Sequence, residues 1–379
     1  MPFGRRGREV YQGGDPYPVS NPSSSIRCAP MSLVGHHSVI IIGAGICGIT
    51  IAKKLQVVHD DVMIMEKSAD DIGGKMSSIH CGEVVGETGC HSFEVTSLPI
   101  REMCLSLKGQ GLVDSVRIDI DGDRKDEERW FPMGGARLLP LILAGGLDIL
   151  RGAEVVNATR VCDDEGRWMW QLLCGNGEMW SCDWLIATTP IPVTKMYLDS
   201  QSMPTDWPLL LSSVTYDPLD VHIVAIPQSL WQVGEEDLSR TRGMYRSSSQ
   251  SLSLCRLHDR GCLVNGADIS TLTHYHFSLV VPAGANWKQM LEREGCIPSE
   301  SSLSSSSSSS SSTATAIDCL STTTYTYGQC TRALNKACLY SPVHRVVLCG
   351  EGFIDTTHAW ENSLLSAQAA VSKLCSHWS

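Results

Sequence analysis

Apolar residues fall along this chain in patterns that predict an alternation of strands and helices. The run "SVIII" (Ser38–Ile42) is continuous and β-branched, as a parallel strand buried on both faces requires. "ICGITIAKKLQ" (Ile46–Gln56) places Ile46, Ile49, Ala52 and Leu55 on one helical face that can pack on a sheet. "VMIME" (Val62–Glu66) predicts the second strand. "GAEVVNATRV", "RWMWQLLC" and "EMWSCDWLIATT" predict three more, parted by turn signals at Asp163–Gly166 and Gly175–Gly177. Near the C-terminus, "HRVVLCGEG" (His344–Gly352) reads as a strand ending in glycines, and "ENSLLSAQAAVSKLC" as an apolar-periodic helix.

Two stretches lack such a pattern. Residues 1–36 are rich in Gly, Pro, Ser and Arg and read as a disordered tail. Arg5, Arg6, Arg8 and Arg27 outnumber Glu9 and Asp15 there, which leaves organelle targeting open, although no amphipathic stretch is evident. The run at 299–316, "SESSLSSSSSSSSSTATA", has too little apolar surface to offset the entropy of ordering. It reads as an inserted surface loop.

Composition narrows the class. The chain has 379 residues, 42% of them hydrophobic and 19% charged, as in a globular protein. A net charge of −11 argues against a nucleic-acid partner, which needs a basic face. No apolar run approaches the roughly 20 residues that span a bilayer, so no membrane span is expected. The 16 cysteines show no CxxC and no zinc-finger spacing, so no metal site is expected. Reduced thiols in an intracellular, cytoplasmic protein are the expectation.

The chemistry concentrates in Gly43-Ala44-Gly45-Ile46-Cys47-Gly48. This GxGxxG follows a predicted strand and opens a predicted helix, the context that gives the motif meaning. Gly43 permits the tight turn, Gly45 lets a pyrophosphate approach the backbone, and Gly48 lets helix and strand pack closely. The helix N-terminus offers free N–H groups to phosphate. Glu66, ending the second strand, can accept ribose hydroxyls. The motif alone does not separate NAD from FAD.

The following segment, "EKSADDIGGKM", resembles FAD-dependent oxidoreductases of the amine-oxidase type. There Glu66-Lys67 and Gly73-Gly74-Lys75-Met76 stand at the family's Glu-Lys/Arg and Gly-Gly-Arg/Lys positions. More resemblances follow in order: "GETGCHSFEV" (Gly86–Val95, with Glu87 and Gly89), "WFPMGGARLLPLILA", "GAEVVNATRV" with Val155, "DWLIATTPIPV" with Thr188, and "CGEGF…HAWENSLLSAQAA" with Gly350, Glu351, Glu361 and Asn362. From Ser38 onward the chain is most similar to the renalases within that group.

The resemblance implies an α/β fold: a Rossmann-type FAD-binding domain (37–96, 130–196, 340–379) intertwined with a smaller mixed-sheet substrate domain (97–129, 197–339). It implies noncovalent FAD, with Val155 at the adenosine portion, Glu351 at the ribityl chain, and the helix near Glu361 aimed at the flavin pyrimidine. The implied activity is oxidation of misreduced NAD(P)H isomers, with O2 as acceptor and H2O2 as product. His91 is the candidate catalytic residue through its motif position. His274 and His276 alternate on one strand face and read as core or surface positions. Asn362 replaces the family's usual glycine, and "TYTYGQ" (Thr324–Gln329) replaces a tryptophan-containing segment. Amine or polyamine oxidation therefore stays open, disfavoured by only 5 Phe and 9 Tyr, as does a non-catalytic FAD-binding protein.

Overall fold

The computed structural model describes residues 33–82, 84–119, 126–234, 244–246, 252–257, 262, 274–299, 317–355 and 357–378. Residues 1–32 of the tail, and all but the first residue of the serine-rich segment, lie outside them.

The strand–helix–strand opening is β1 (Leu33–Ile42), α1 (Ile46–Leu55) and β2 (Val62–Glu66). Next come the hairpin β3 (Ser78–Cys81) and β4 (Val84–Glu87), short β5 (Phe93–Glu94), α2 (Leu98–Gly109), β6 (Val113–Asp119), β7 (Asp126–Pro132), α3 (Leu138–Leu143) and β8 (Asp148–Arg151). The meander β9 (Val155–Cys162), β10 (Trp168–Cys174) and β11 (Met179–Ala187) leads through α4 (Ile191–Tyr197) and α5 (Trp207–Leu211) to the long β12 (Thr215–Pro227). Then follow β13 (Met244–Arg246), β14 (Ser253–Arg256), β15 (His274–Pro282), α6 (Trp287–Arg293) and β16 (Asp318–Arg332). The chain ends with β17 (Leu339–Ser341), β18 (Val346–Leu348) and α7 (Ala359–Trp378).

The first sheet runs β17-β18-β11-β1-β2-β8, and β9 and β10 join it beside β11. β1 pairs in parallel with both β2 and β11, so it is central. Its apolar run is continuous because both faces are covered. Ile40 and Ile42 enter a core with Trp170, Leu172 and Leu198, while Val39 and Ile41 enter another with Ile49, Ala52 and Leu55 of α1 and Ala367, Ala370 and Leu374 of α7. This is the α/β Rossmann-like architecture expected. β1 starts at Leu33, however, inside the stretch read as tail. Leu33 and Val34 are exposed, and the extension is held by backbone pairing from Leu33↔Met179 to His37↔Cys182, which hydrophobic patterning does not reveal.

The second sheet runs β13-β14-β15-β12-β16. Its pairings among the described residues are antiparallel throughout, a correction in detail to the mixed sheet expected. Among the described residues no helical crossover sets two of these strands side by side in parallel. The β3–β4 hairpin bears on this sheet: a Cβ at Gly86 would meet Ile223 Cγ1 at 2.6 Å. No helix among the described residues is long and apolar enough to cross a membrane.

Candidate nucleotide-binding site

The turn after β1 is fixed from three sides. Gly43 adopts φ +102° and its N–H donates to Met65 O at 2.8 Å. Thr188, at the end of β11, donates through Oγ1 to Ile42 O (2.9 Å) and Gly43 O (3.1 Å). Gly48 has to be glycine, since any Cβ would run into the Gly43 carbonyl. Gly45 is different: no heavy atom lies within 4 Å of where its Cβ would be. The first turn of α1 carries no acidic residue, and Gly45 at its N-cap supplies no side-chain cap. Its N–H groups are therefore left for an anion. Ala44, Ile46 and Cys47 are buried, so they offer backbone only.

The second glycine pair lies against the first. Gly73 N–H donates to Ala44 O at 2.8 Å, and Gly45 and Gly73 form an isolated parallel bridge. A Cβ at Gly74 would meet only Gly45 Cα, at 3.5 Å. Two loops 28 positions apart thus make one open floor bare of side chains. Glu66 stands beside it, its Oε2 accepting from Ala44 N (2.8 Å) and its Oε1 from Ser68 N (2.9 Å). Lys67 is exposed, and Val155 is buried at the start of β9.

The last motif closes on the second glycine loop. Lys75 Nζ lies 2.6 Å from Glu351 Oε2 and 2.6 Å from Gly328 O. Trp360 donates to Met76 Sδ at 3.1 Å and stacks on Phe93. Gly350, at φ +133°, donates to Ser366 Oγ. Glu351 Oε1 is buried and has no hydrogen-bond partner among the described residues. A Cβ at Gly89 would strike the Lys75 carbonyl, so this glycine keeps "GETG" against "GGKM". Between them, burial together with Glu87 and Glu351 pushes the Cys90 thiol up to about 12.

Three further candidates are engaged by protein partners. The Glu361 carboxylate is engaged by the Thr96 and Ser97 N–H groups and the Thr96 hydroxyl at 2.6–3.1 Å, so it anchors the start of α2. Asn362 is buried, and its Nδ2 donates to Asp355 Oδ1 at 2.6 Å. His91 is 6% exposed, with Nε2 3.1 Å from Ser253 Oγ, which ties it to the second sheet. His274 and His276 lie on β15, half-buried, paired across to Pro227 and Ala225.

Sequence reasoning singled out the segment of Tyr325 and Tyr327 but missed Tyr216 and the grouping of these rings near Lys75. The Tyr216 ring centroid is 6.0 Å from Lys75 Nζ, and Tyr327 meets Tyr216 edge-on at 6.0 Å. Burial, then Glu351, push the Tyr216 phenol far above its ordinary value. Tyr325 OH is 3.0 Å from Ser77 Oγ, itself 2.7 Å from Thr88 Oγ1. The alternating "TYTY" was the available signal, because its period of two sends both tyrosines to one face.

The site fits a dinucleotide. It has a floor that side chains would block, uncapped helix N–H groups, an acid beside the turn, and a buried acceptor, Glu351 Oε1, without a partner. Among the described residues no group of three or more His, Cys, Asp or Glu is placed to hold a metal ion.

Comparison with known proteins agrees with this geometry. Residues 41–106 match the family model of an NAD(P)-binding Rossmann-like domain. No curated protein matches the sequence. Among solved structures, a triple mutant of putrescine oxidase superposes with a TM-score of 0.61 at 10% identity, covering 90% of this chain and 99% of its own. Wild-type putrescine oxidase bound to putrescine gives 0.58 at 11%, covering 90% and 99%. A fatty acid isomerase from P. acnes gives 0.58 at 12%, covering 89% and 98%. At such identities the likeness establishes the fold.

Proposed function

We propose that this chain is an FAD-dependent oxidoreductase that binds its cofactor noncovalently and oxidises a small organic donor, with O2 as acceptor and H2O2 as product. The observation that carries the reading is the bare floor of Gly45 and Gly74 beside Glu66. The α1 N–H groups would receive the phosphates, Glu66 the ribose hydroxyls, and Glu351 Oε1 a hydroxyl of the chain between phosphate and ring. FAD, when bound, supplies the two-electron acceptor. Lys75 holds Glu351 in place while sharing its charge with the Gly328 carbonyl.

For the donor, the reading preferred is a misreduced NAD(P)H isomer, on the renalase resemblance of "GETGCHSFEV" and "WENSLLSA". Such a reaction asks no acid or base of the protein. It needs a pocket that fixes one ring pose, so that only one carbon comes within near-attack distance, about 3–3.5 Å. A second reading, amine oxidation, is favoured by the tyrosines at 216, 325 and 327 and by the fold shared with putrescine oxidase.

The test is anaerobic rapid mixing of FAD-loaded protein with 2- and 6-dihydro NAD(P) isomers, 4-dihydro NADH, spermine and a monoamine. Fast bleaching of flavin absorbance by the 2- or 6-dihydro isomers supports the first reading, and preferential bleaching by an amine replaces it with the second. Bleaching by none moves the chain to a non-catalytic FAD-binding role. Failure to take up FAD overturns the proposal, and flavin that stays on the denatured polypeptide removes the noncovalent part.

A further inference from the structure

The segments 75–81 and 319–328 lie side by side and run in opposite directions. Lys75 Nζ meets Gly328 O at 2.6 Å, and Ser77 Oγ meets Tyr325 OH at 3.0 Å. Further along, Ile79, His80 and Cys81 line one open cleft of about 340 Å³ with Leu320 and Ser321. Each step forward in the first segment is thus matched by a step back in the second. This ordering brings Cys81 toward Cys319, near enough that, after burial, Cys319 helps to push the Cys81 thiol up.

Cys319 is exposed, and its Sγ lies 3.4 Å from Ser321 O, 3.4 Å from Thr322 Oγ1 and 3.8 Å from His222 Nδ1. His222 is 7% exposed; its Nδ1 also lies 2.9 Å from Thr322 Oγ1, and its Nε2 has no partner among the described residues. An exposed thiol, an imidazole beside it and a second thiol lining the neighbouring cleft make a set that exposed Cys162 lacks among the described residues. Cys47 and Cys349 have Sγ atoms 3.9 Å apart but are sealed in the core.

We infer that Cys319 is a site of oxidation by hydrogen peroxide, with His222 as its proton acceptor and Cys81 as the resolving thiol. The Cys319 S–H proton passes to His222 as sulfur attacks the peroxide and the O–O bond breaks. The departing hydroxide takes a proton to become water, leaving Cys319–SOH. The Cys81 sulfur then displaces that hydroxyl, forming the S–S bond and a second water. Overall two thiols and one H2O2 give one disulfide and two waters. Burial pushes the His222 imidazole down, so near neutral pH it stands as the free base, while the nearby Asp220 carboxylate favours the charged form that proton uptake would create. Burial and the nearness of Cys319 push the Cys81 thiol up, which suits the second partner rather than the first attacker. The product would tie β3 to β16 at one end of the seam that Lys75 and Gly328 close at the other.

The inference does not depend on the oxidase reading, which only names a local source of peroxide. In the test, peroxide is added to reduced full-length protein, sulfenic acid is trapped with dimedone, and peptides are mapped without reduction. The Cys81→Ser variant should accumulate dimedone-labelled Cys319 at least about tenfold faster than labelled Cys162 in the same digest. Wild type should instead yield a Cys81–Cys319 linked peptide that dithiothreitol releases. His222→Gln should slow labelling of Cys319 about tenfold and leave Cys162 unchanged, with circular dichroism confirming the fold. Labelling of Cys319 at the Cys162 rate overturns the inference. Absence of the linked peptide in wild type removes Cys81 from it, and an unchanged rate in His222→Gln removes His222.

Discussion

Lys75 Nζ sits 2.6 Å from Glu351 Oε2, joining residues 276 positions apart in sequence. The ion pair draws the second glycine loop and the final glycine-bearing strand end around one floor, and Gly328 O adds a contact from β16. Lys75→Met would leave Glu351, only 15% exposed at its side chain, without its countercharge. The expected loss is about 1–3 kcal/mol in urea unfolding, below that of a fully buried pair because Lys75 keeps 29% exposure. Lys75→Arg, which can keep the charge and the carbonyl contact, should recover most of it. Equal loss in both variants would count against the pair.

The two roles of glycine in the first turn separate by mutation. At Gly45 a side chain meets no protein atom, so Gly45→Val should fold and melt close to wild type without FAD, yet retain no flavin after gel filtration. At Gly48 even a methyl meets the Gly43 carbonyl, so Gly48→Ala should lower stability with or without FAD, by about 1–3 kcal/mol. Flavin content in Gly45→Val equal to wild type would refute the phosphate site.

How much of this was legible in sequence follows from the range of the forces involved. The Gly73-Gly74 segment stood out through the family resemblance, while the body of β1, α1 and β2 could be read because each is dictated by periodicity within a few residues. The early start of β1 could not, since Leu33–His37 has a weak apolar pattern and is held by a ladder to β11 some 145 residues away. The contact of Glu361 with Thr96 and Ser97 could not be read either, because no local pattern announces a contact across 264 residues. The tyrosines of β16 were visible as a departure from a family pattern, and only the antiparallel sheet shows that Tyr325 reaches Ser77.

The Ser77–Tyr325 contact can be weighed by a double-mutant cycle. Ser77 Oγ also meets Thr88 Oγ1, so Ser77→Ala removes two bonds and Tyr325→Phe one. A neutral hydrogen bond contributes about 0.5–1.5 kcal/mol, so the coupling energy from thermal unfolding should fall in that range. Strict additivity of the two variants would mean that the seam between 75–81 and 319–328 is open in solution.

Acid should act on this protein in part through Glu361. The residue is 1% exposed, and burial alone pushes its carboxyl up. Hydrogen bonds from the Ser97 and Thr96 backbone and the Thr96 hydroxyl outweigh that burial, and the net shift is downward. A carboxyl held lower in the folded chain than in the unfolded one, where about 4.3 is ordinary, contributes its full stability above that value. The contribution fades as pH falls through the folded value, because the proton then binds both states. Glu361→Gln keeps the shape but loses the charge that three donors converge on, so at pH 7 it should cost on the order of 2 kcal/mol. The gap between wild type and variant should hold steady from pH 7 to about pH 5, then narrow as the solution is acidified further. Urea midpoints measured at half-unit steps from pH 7 to pH 3 would show it. A gap that widens toward low pH would mean that the carboxyl is protonated in the folded chain and that α2 is anchored by something else.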